Sequence, residues 1–414
     1  MITRVDVDAS AAAWARAKSL DSGRAHRATV EEFDLGFLVV IVAEDVTVAP
    51  ELGTGVTVID RETGRLSTWP NWPSDAVRAN YRERRDEITG PPRTADPEVQ
   101  LRREARRRAA PGIAAHVTAD GRVYSATGAK GDQKLGHHRL VLELLAGQSP
   151  QERVRGGERH AELIVCSDVL HDVDHRRGLA GQAPLTGDEA RRLFLESAFE
   201  TFQIHAPGDP LAGRPNDPCE SCTFVLTQLS LMPWASTGAL HHFRAPDRPN
   251  PDPSRFSDTL GAELADGGLV TDLPPELRAA ETDSLVRTVV AVEGQEFRHE
   301  AFPAVFDAYR HTGPIGVGRR APGVDQRSRL FEIYSVNAAH TADLLHEFGE
   351  VIGARLFPLG RVNNESVLAI DEHGRIFDLD QAGEWFVANS YLEALETLTN
   401  GRRTYRVRDD GTWG

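Results

Sequence analysis

Apolar residues in the first 90 positions show helical spacing at both ends and strand-like runs between them. Helices are predicted over residues 9–20 and 74–88, and strands over 37–45 and 55–69. Within the last stretch, GVTVIDRETGRLSTW, polar residues at Glu62–Gly64 interrupt the apolar alternation and predict a turn between two strands. The pattern therefore predicts a small α+β domain over residues 1–90.

Residues 91–245 mix the two periodicities more closely. In GIAAHVTADGRVYSAT (112–127), two apolar stretches flank Asp120–Gly121, which is a strong hairpin signal. The further expected elements are helices at 137–147 and 187–199 and a strand at 201–206. Helices and strands that alternate in this way predict an α/β layered domain.

Residues 255–414 also combine both patterns. The expected elements are a strand at 285–294, a helix at 340–353, a hairpin at 365–379 and a helix at 390–401. The hairpin is expected to turn at Glu372–Gly374, and the last helix is bounded by Ser390 as N-cap and Gly401 as C-terminal stop. This segment is predicted to be a second small α+β domain.

Two Pro-rich stretches separate these segments. TGPPRTADPE, from Thr89, and APDRPNPDPS, from Ala245, can hold neither a helix nor a central strand, so both are interpreted as linkers. The predicted fold class is multidomain, with a central α/β layered domain between two small α+β domains, and 414 residues are enough for three domains.

Composition narrows the function classes. With 40% hydrophobic and 26% charged residues, the chain resembles an ordinary globular protein. Its net charge of -15 argues against general coating of nucleic acid, although a local basic groove stays possible. No apolar run has the length of a membrane span, and MITRVDVDAS lacks the features of a signal peptide, so no membrane association and a cytoplasmic location are expected.

The chain has three cysteines, Cys166, Cys219 and Cys222. An odd number is a poor basis for a disulfide framework. Cys219 and Cys222 form a C-x-x-C pair, which indicates metal binding or redox chemistry. Cys166 lies in the apolar run LIVCSDV and is expected to be a buried small hydrophobic residue.

The C-x-x-C pair gains meaning beside ERHAELIV, which contains His160 and Glu162. An H-x-E triplet alone occurs easily by chance, but a catalytic zinc ion takes three protein ligands and keeps a position for water. His160, Cys219 and Cys222 supply three ligands, and Glu162 would move protons between that water and a leaving amine. Pro218 favours a helix start at the cysteines, whose dipole would stabilise thiolates. The combination H-x-E with P-C-x-x-C is the zinc deaminase pattern.

Two other interpretations of the motif stay open. A purely structural zinc ion usually has a fourth protein ligand, and none occurs in tight spacing. A redox dithiol leaves the H-x-E triplet unexplained.

His171 and His175, four residues apart, could share a helix face, but the charged residues around them favour a solvated helix end. The adjacent pairs His137–His138 and His241–His242 make poor chelates.

Residues 95–240 resemble the cytidine deaminase superfamily, and more narrowly the YwqJ-like deaminases of bacterial polymorphic toxin systems. The resemblance rests on RRRAAPGIAAHVTADGRVY, RHAELIVCSDVL and PCESCTFVLTQL. It implies zinc-dependent hydrolytic deamination of a nucleobase, with cytosine in a nucleoside or a single strand as the first choice. His160 and Cys219 are further apart in sequence than in compact nucleoside deaminases, which fits an inserted helix.

The flanking segments resemble immunity domains. RLFPLG, ESVLAIDEHGRIFDL and SYLEALETLTNG, within residues 255–405, resemble the SUKH superfamily, whose members neutralise toxins by binding them. GTGVTVIDRETGRLSTWP with the following helix resembles YrhB-type immunity domains. Two hypotheses follow. The chain is a deaminase with partner-binding flanks, or it is a multidomain immunity protein in which the deaminase fold holds a structural zinc ion or binds a partner.

Overall fold

A computed structural model describes residues 2–44, 55–70, 72–89, 92–104, 107–237 and 246–414. The chain forms two compact units. The first comprises 1–108, 133–136 and 171–183, and the second comprises 109–132, 137–170 and 184–414. The predicted domain limits at 90 and 245 stay predictions. In the described parts of the chain, no helix has both the length and the apolar character needed to cross a membrane.

The first unit is an α+β unit built on a four-stranded antiparallel sheet, in the order β1-β2-β3-β4. Its elements are α1 (Arg4–Ser22), β1 (His26–Phe33), β2 (Gly36–Ala43), β3 (Val56–Asp60), β4 (Leu66–Trp69), α2 (Ser74–Thr89) and α3 (Pro97–Glu104). The predicted helices and the β3–β4 turn are confirmed. The prediction missed β1, an edge strand whose charged residues hide the strand pattern.

Apolar residues cover both faces of this sheet. Phe37 and Val39 pack in one cluster with residues of α1, whereas Leu38 packs in the other with residues of α2. Successive side chains of a strand point to opposite faces, so an unbroken apolar run suits a strand buried on both sides.

The second unit begins with a three-stranded antiparallel sheet in the order β6-β5-β7. Its elements are β5 (Gly112–Ala119), β6 (Arg122–Thr127), α4 (Arg139–Ala146), α5 (Ala161–Leu179, entering the first unit from residue 171), α6 (Gly187–Leu195), β7 (Ala198–Ile204) and α7 (Glu220–Gln228). The predicted hairpin is confirmed, since Asp120 and Gly121 have φ of 51° and 69°, the values of a type I′ turn.

The second unit continues into a seven-stranded antiparallel sheet, in the order β14-β13-β12-β11-β10-β9-β8. Its strands are β8 (Ile315–Val317), β9 (Phe331–Ile333), β10 (Leu356–Val362), β11 (Ser366–Asp371), β12 (Ile376–Asp380), β13 (Gly383–Ala388) and β14 (Tyr405–Arg406). Its helices are α8 (Asp258–Asp266), α9 (Pro275–Val290), α10 (Pro303–Thr312), α11 (Ala342–Ile352) and α12 (Tyr391–Asn400). The multidomain α/β and α+β class is confirmed.

One predicted element in this region is wrong. The strand expected over 285–294 is the end of helix α9 and the turn after it. Leu285, Val286 and Val289 are buried at helical spacing, whereas Arg287 is exposed. A short apolar run rich in Val does not distinguish a strand from a buried helix segment. The hairpin turn near Glu372 and the final helix are confirmed.

Candidate metal centre

The two sequence motifs meet at the N-terminal ends of two helices. His160 immediately precedes α5, and Glu162 lies in the first turn of that helix. Cys219 is the N-cap of α7, and Cys222 lies in its first turn. Helix α7 therefore starts two residues after Pro218, slightly later than predicted, yet both cysteines still lie at the helix start.

His160, Cys219 and Cys222 form one compact group. The Nδ1 atom of His160 lies 3.3 Å from Sγ of Cys219 and 3.5 Å from Sγ of Cys222. All three ligand atoms lie within 4.8 Å of one another, and all three side chains are buried. One imidazole nitrogen and two sulfur atoms form the donor set that suits zinc, so these residues could hold a metal ion through Nδ1 and both sulfurs.

The charges in this group favour a thiolate. Burial would raise the pKa of the Cys219 thiol, but the hydrogen bond from Cys222 and the charge of His160 lower that pKa well below its usual range. Burial likewise opposes charge on His160, yet neighbouring Cys219 raises the pKa of His160 to about 10. A thiolate is the metal-binding form of cysteine, so the lowered pKa of Cys219 suits it to the role of a ligand.

Glu162 is fully buried beside these residues. Burial raises the pKa of Glu162, although the charge of His160 opposes the shift. A carboxyl group with a raised pKa holds a proton more readily than an ordinary one, which suits it to accept and return a proton as a general acid–base. Its Oε1 atom has no hydrogen-bond partner among the residues that the structure describes.

A residue that the sequence did not indicate completes the surroundings of Glu162. The side-chain oxygen of Gln381 accepts a hydrogen bond from the backbone N–H of Ala161 at 3.0 Å. The side-chain nitrogen of Gln381 lies 3.5 Å from Oε2 of Glu162. Gln381 follows strand β12, 219 positions after Glu162. Periodicity and motif spacing give no signal for a contact over such a separation.

The other sequence candidates lie apart from this group. Cys166 is buried in α5, as predicted, and burial raises the pKa of its thiol. His137 contacts the carbonyl oxygen of Glu158, and His138 caps α4, so this adjacent pair has separate roles, as predicted. His171 contacts the carbonyl oxygen of Gly136. The pair His241–His242 lies outside the described residues.

Family models match three regions of the chain. Residues 97–231 match the YwqJ-like deaminase model. Residues 276–401 match the SUKH-3 immunity protein model, and residues 11–87 match the Immunity protein 35-like domain. The chain thus combines a YwqJ-like deaminase domain with two immunity-type domains, which associates it with deaminase toxin–immunity systems. Neither the curated proteins nor the solved structures gave a significant match.

The comparisons confirm the recognised architecture. The deaminase match contains His160, Glu162, Cys219 and Cys222. The immunity match at the N-terminus covers the region where a YrhB-type immunity domain was expected, and its family is the Immunity protein 35-like one. Gln381 lies in the SUKH-3 match, so the group around Glu162 includes residues of two different domain types.

Proposed function

We propose that this chain is a zinc-dependent hydrolytic deaminase of a nucleobase that works in a bacterial toxin–immunity system. The observation that carries the proposal is the convergence of His160, Cys219 and Cys222 beside a buried Glu162, within a YwqJ-like deaminase domain. A site that only stabilised the fold with zinc would have no need for a buried carboxyl group at this position.

In the proposed reaction, His160, Cys219 and Cys222 hold the metal, and Glu162 moves protons. Zinc, when bound, would lower the pKa of a water molecule. The water oxygen bonds to the ring carbon that carries the exocyclic amine, and the C–N bond to that amine breaks. Glu162 takes a proton from the water and delivers it to the departing nitrogen, which leaves as ammonia, and the second water proton ends on a ring nitrogen of the product base. The products are ammonia and a base with a carbonyl group in place of the amine.

The proposed substrate is cytosine in a nucleoside or a single strand. A base inside a duplex is stacked and paired, so it reaches a buried carboxyl group only after it is flipped out of the helix. Neither a net charge of -15 nor the buried ligand group suggests binding along a duplex. The cytoplasm is the proposed compartment because Cys166, Cys219 and Cys222 are all free.

The test compares the zinc-loaded chain with Glu162→Ala on single-stranded DNA, RNA and free nucleosides. Since Gln381 contacts Glu162, each assay is repeated in a Gln381→Ala background. We expect base conversion that depends on Glu162, with a loss of about 100-fold or more in Glu162→Ala. If zinc is bound and no substrate is converted in either background, the enzyme proposal fails.

A second candidate function rests on the burial of the site. Glu162 is fully buried and contacts a residue of the SUKH-3-type domain. In this alternative, the whole chain is an immunity protein that binds toxins, and the deaminase-type domain keeps a structural zinc ion or forms a partner surface. This alternative is favoured if the chain binds zinc, binds a toxin tightly and converts no substrate in either background.

A further inference from the structure

A tight turn between β12 and β13 carries Gln381 to the deaminase-type site. The Oδ1 atom of Asp380 accepts hydrogen bonds from the backbone N–H groups of Ala382 at 2.8 Å and Gly383 at 3.1 Å, and from the indole N–H of Trp385 at 3.1 Å. These three bonds fix the turn from within. Gln381 projects from it and is only 4% exposed.

The Gln381 amide engages two groups at the N-terminal end of α5. The N–H of Ala161, at the first residue of α5, has no acceptor within its own helix, so it is available to a ligand. Here it donates to Gln381 at 3.0 Å. The amide nitrogen of Gln381 is directed at the Glu162 carboxyl group, 3.5 Å away. In the proposed reaction, Glu162 instead meets the amine nitrogen of the base.

The deaminase-type domain has two glycines where the turn packs. A Cβ atom on Gly128 would lie 2.3 Å from the carbonyl oxygen of Gln381. A Cβ atom on Gly156 would lie 2.8 Å from Cβ of Ala382. Both separations are too short for real contacts, so the turn fits closely because neither position has a side chain.

Buried ion pairs hold the turn in its docked position. Nη2 of Arg155 lies 2.7 Å from a carboxylate oxygen of Asp378 and 2.7 Å from one of Asp380. The Arg155 guanidinium also lies 4.6 Å from the ring centre of Trp385. The side chains of Arg155, Asp378 and Asp380 are at most 6% exposed. Separating the two domains would take the Arg155 guanidinium away from both carboxylates, which favours the docked arrangement.

We propose that the SUKH-3-type domain inhibits the deaminase-type site of its own chain, with Gln381 occupying the position at which a substrate would meet Glu162. This inference rests on the proposed function. The docked turn takes the Ala161 N–H, contacts Glu162 and fills the space beside both glycines. A base reaches Glu162 only after the turn withdraws.

The first experiment measures opening of the site independently of catalysis. Zinc-loaded full-length chains are mixed with a strong chelator, and the rate of zinc loss is followed. Arg155→Ala removes the cation that pairs with Asp378 and Asp380 across this contact, so we expect zinc loss to accelerate at least about tenfold. Gln381→Ala removes only the amide and is expected to have a smaller effect in the same direction.

His373→Ala is the matched control. His373 is exposed in the β11–β12 turn, at the opposite end of β12 from Gln381. The rate of zinc loss from His373→Ala should equal that of the wild type. Thermal unfolding of each variant shows whether the fold is kept. If Arg155→Ala unfolds, the inference is tested with Gln381→Ala alone. Zinc loss at the wild-type rate from a folded Gln381→Ala chain overturns the inference.

The second experiment measures deamination by the same proteins. We expect kcat/KM to rise in Gln381→Ala and Arg155→Ala, to stay unchanged in His373→Ala, and to vanish when Glu162→Ala is added. Faster zinc loss without deamination of any substrate supports closure and overturns the proposed enzyme. Equal deamination by the wild type and both opened variants keeps the enzyme and overturns closure.

Discussion

The three cysteines show how neighbouring side chains decide what a residue can do. Cys166, Cys219 and Cys222 are all buried and free. Only Cys219 and Cys222 lie beside an imidazole nitrogen, at 3.3 and 3.5 Å from His160. Cys166 packs in helix α5, and no metal-ligand group of the described residues includes it.

This difference yields a prediction about metal content. Cys219→Ser is expected to lower the zinc bound per chain from about one equivalent to a small fraction, because a neutral hydroxyl replaces a thiolate ligand. Cys166→Ser, an equally buried change, should keep the zinc of the wild type. Elemental analysis of the purified chains makes the comparison. Full zinc content in Cys219→Ser would contradict the proposed ligand set.

At the scale of single residues, the sequence predicts the proposed metal ligands but not the side chains around them. The spacing of H-x-E and P-C-x-x-C singled out His160, Glu162, Cys219 and Cys222, since few residue types build such a group. Gln381 and Arg155 have no comparable signal. A glutamine and an arginine are common polar residues, and only the folded chain brings them to the site.

Turns and helix ends were the elements best predicted from sequence. Asp120 and Gly121 adopt the positive φ values that their hairpin needs, and Ser390 caps α12 by accepting from the N–H of Glu393. Local chemistry fixes such features. The strand predicted over 285–294 was wrong because the packing of Leu285 and Val289 decides the conformation at the end of α9. Packing of this kind is not local in sequence.

The β3–β4 turn supports a prediction about pH. Burial raises the pKa of Asp60, but hydrogen bonds from Arg85, Thr63 and Tyr81 outweigh burial and lower that pKa to about 2. A depressed pKa means that the carboxylate stabilises the fold above its unfolded pKa, about 4, and that this stabilisation is lost as the pH falls towards 2.

The unfolding temperature of the wild type should therefore fall between pH 4 and pH 2. Asp60→Asn should lower that temperature at pH 7 and weaken its dependence on acid. Asp34→Asn is a suitable control, since Asp34 is exposed and its pair with Arg82 should matter little. Equal acid sensitivity of Asp60→Asn and the wild type would contradict the assignment.

For the whole molecule, the sequence predicted segments with separate folds but not how they pack. Pro-rich linkers, composition and patterning indicated several domains. In the structure, one compact unit contains the whole SUKH-3 match and most of the deaminase match. Arg361, which is 1% exposed in β10, pairs with Asp209, 152 positions earlier. Ion pairs over such separations depend on tertiary structure, which periodicity does not encode.

Loss of the ion pair between Arg361 and Asp209 should lower the free energy of unfolding. Asp209→Ala leaves the Arg361 guanidinium buried without its carboxylate, so we expect the free energy of unfolding to fall by about 3–5 kcal/mol. Asp307→Ala removes one partner of an exposed ion pair with Arg310 and should change that free energy by less than about 1 kcal/mol. Denaturant titration of both variants tests the contrast, and equal effects would contradict a structural role for the buried pair.

The placement of Gln381 and Glu162 on one polypeptide also has a kinetic consequence. Under the proposed inhibition, the tethered turn faces its site at an effective concentration on the order of millimolar, whatever the amount of protein in the cell. Dilution cannot release it, and its stoichiometry is always one to one. A cut in the chain between residues 246 and 257, followed by separation of the pieces, would change that stoichiometry irreversibly. Proteolysis, rather than titration by a free partner, is then the event to which such a molecule would respond most sharply.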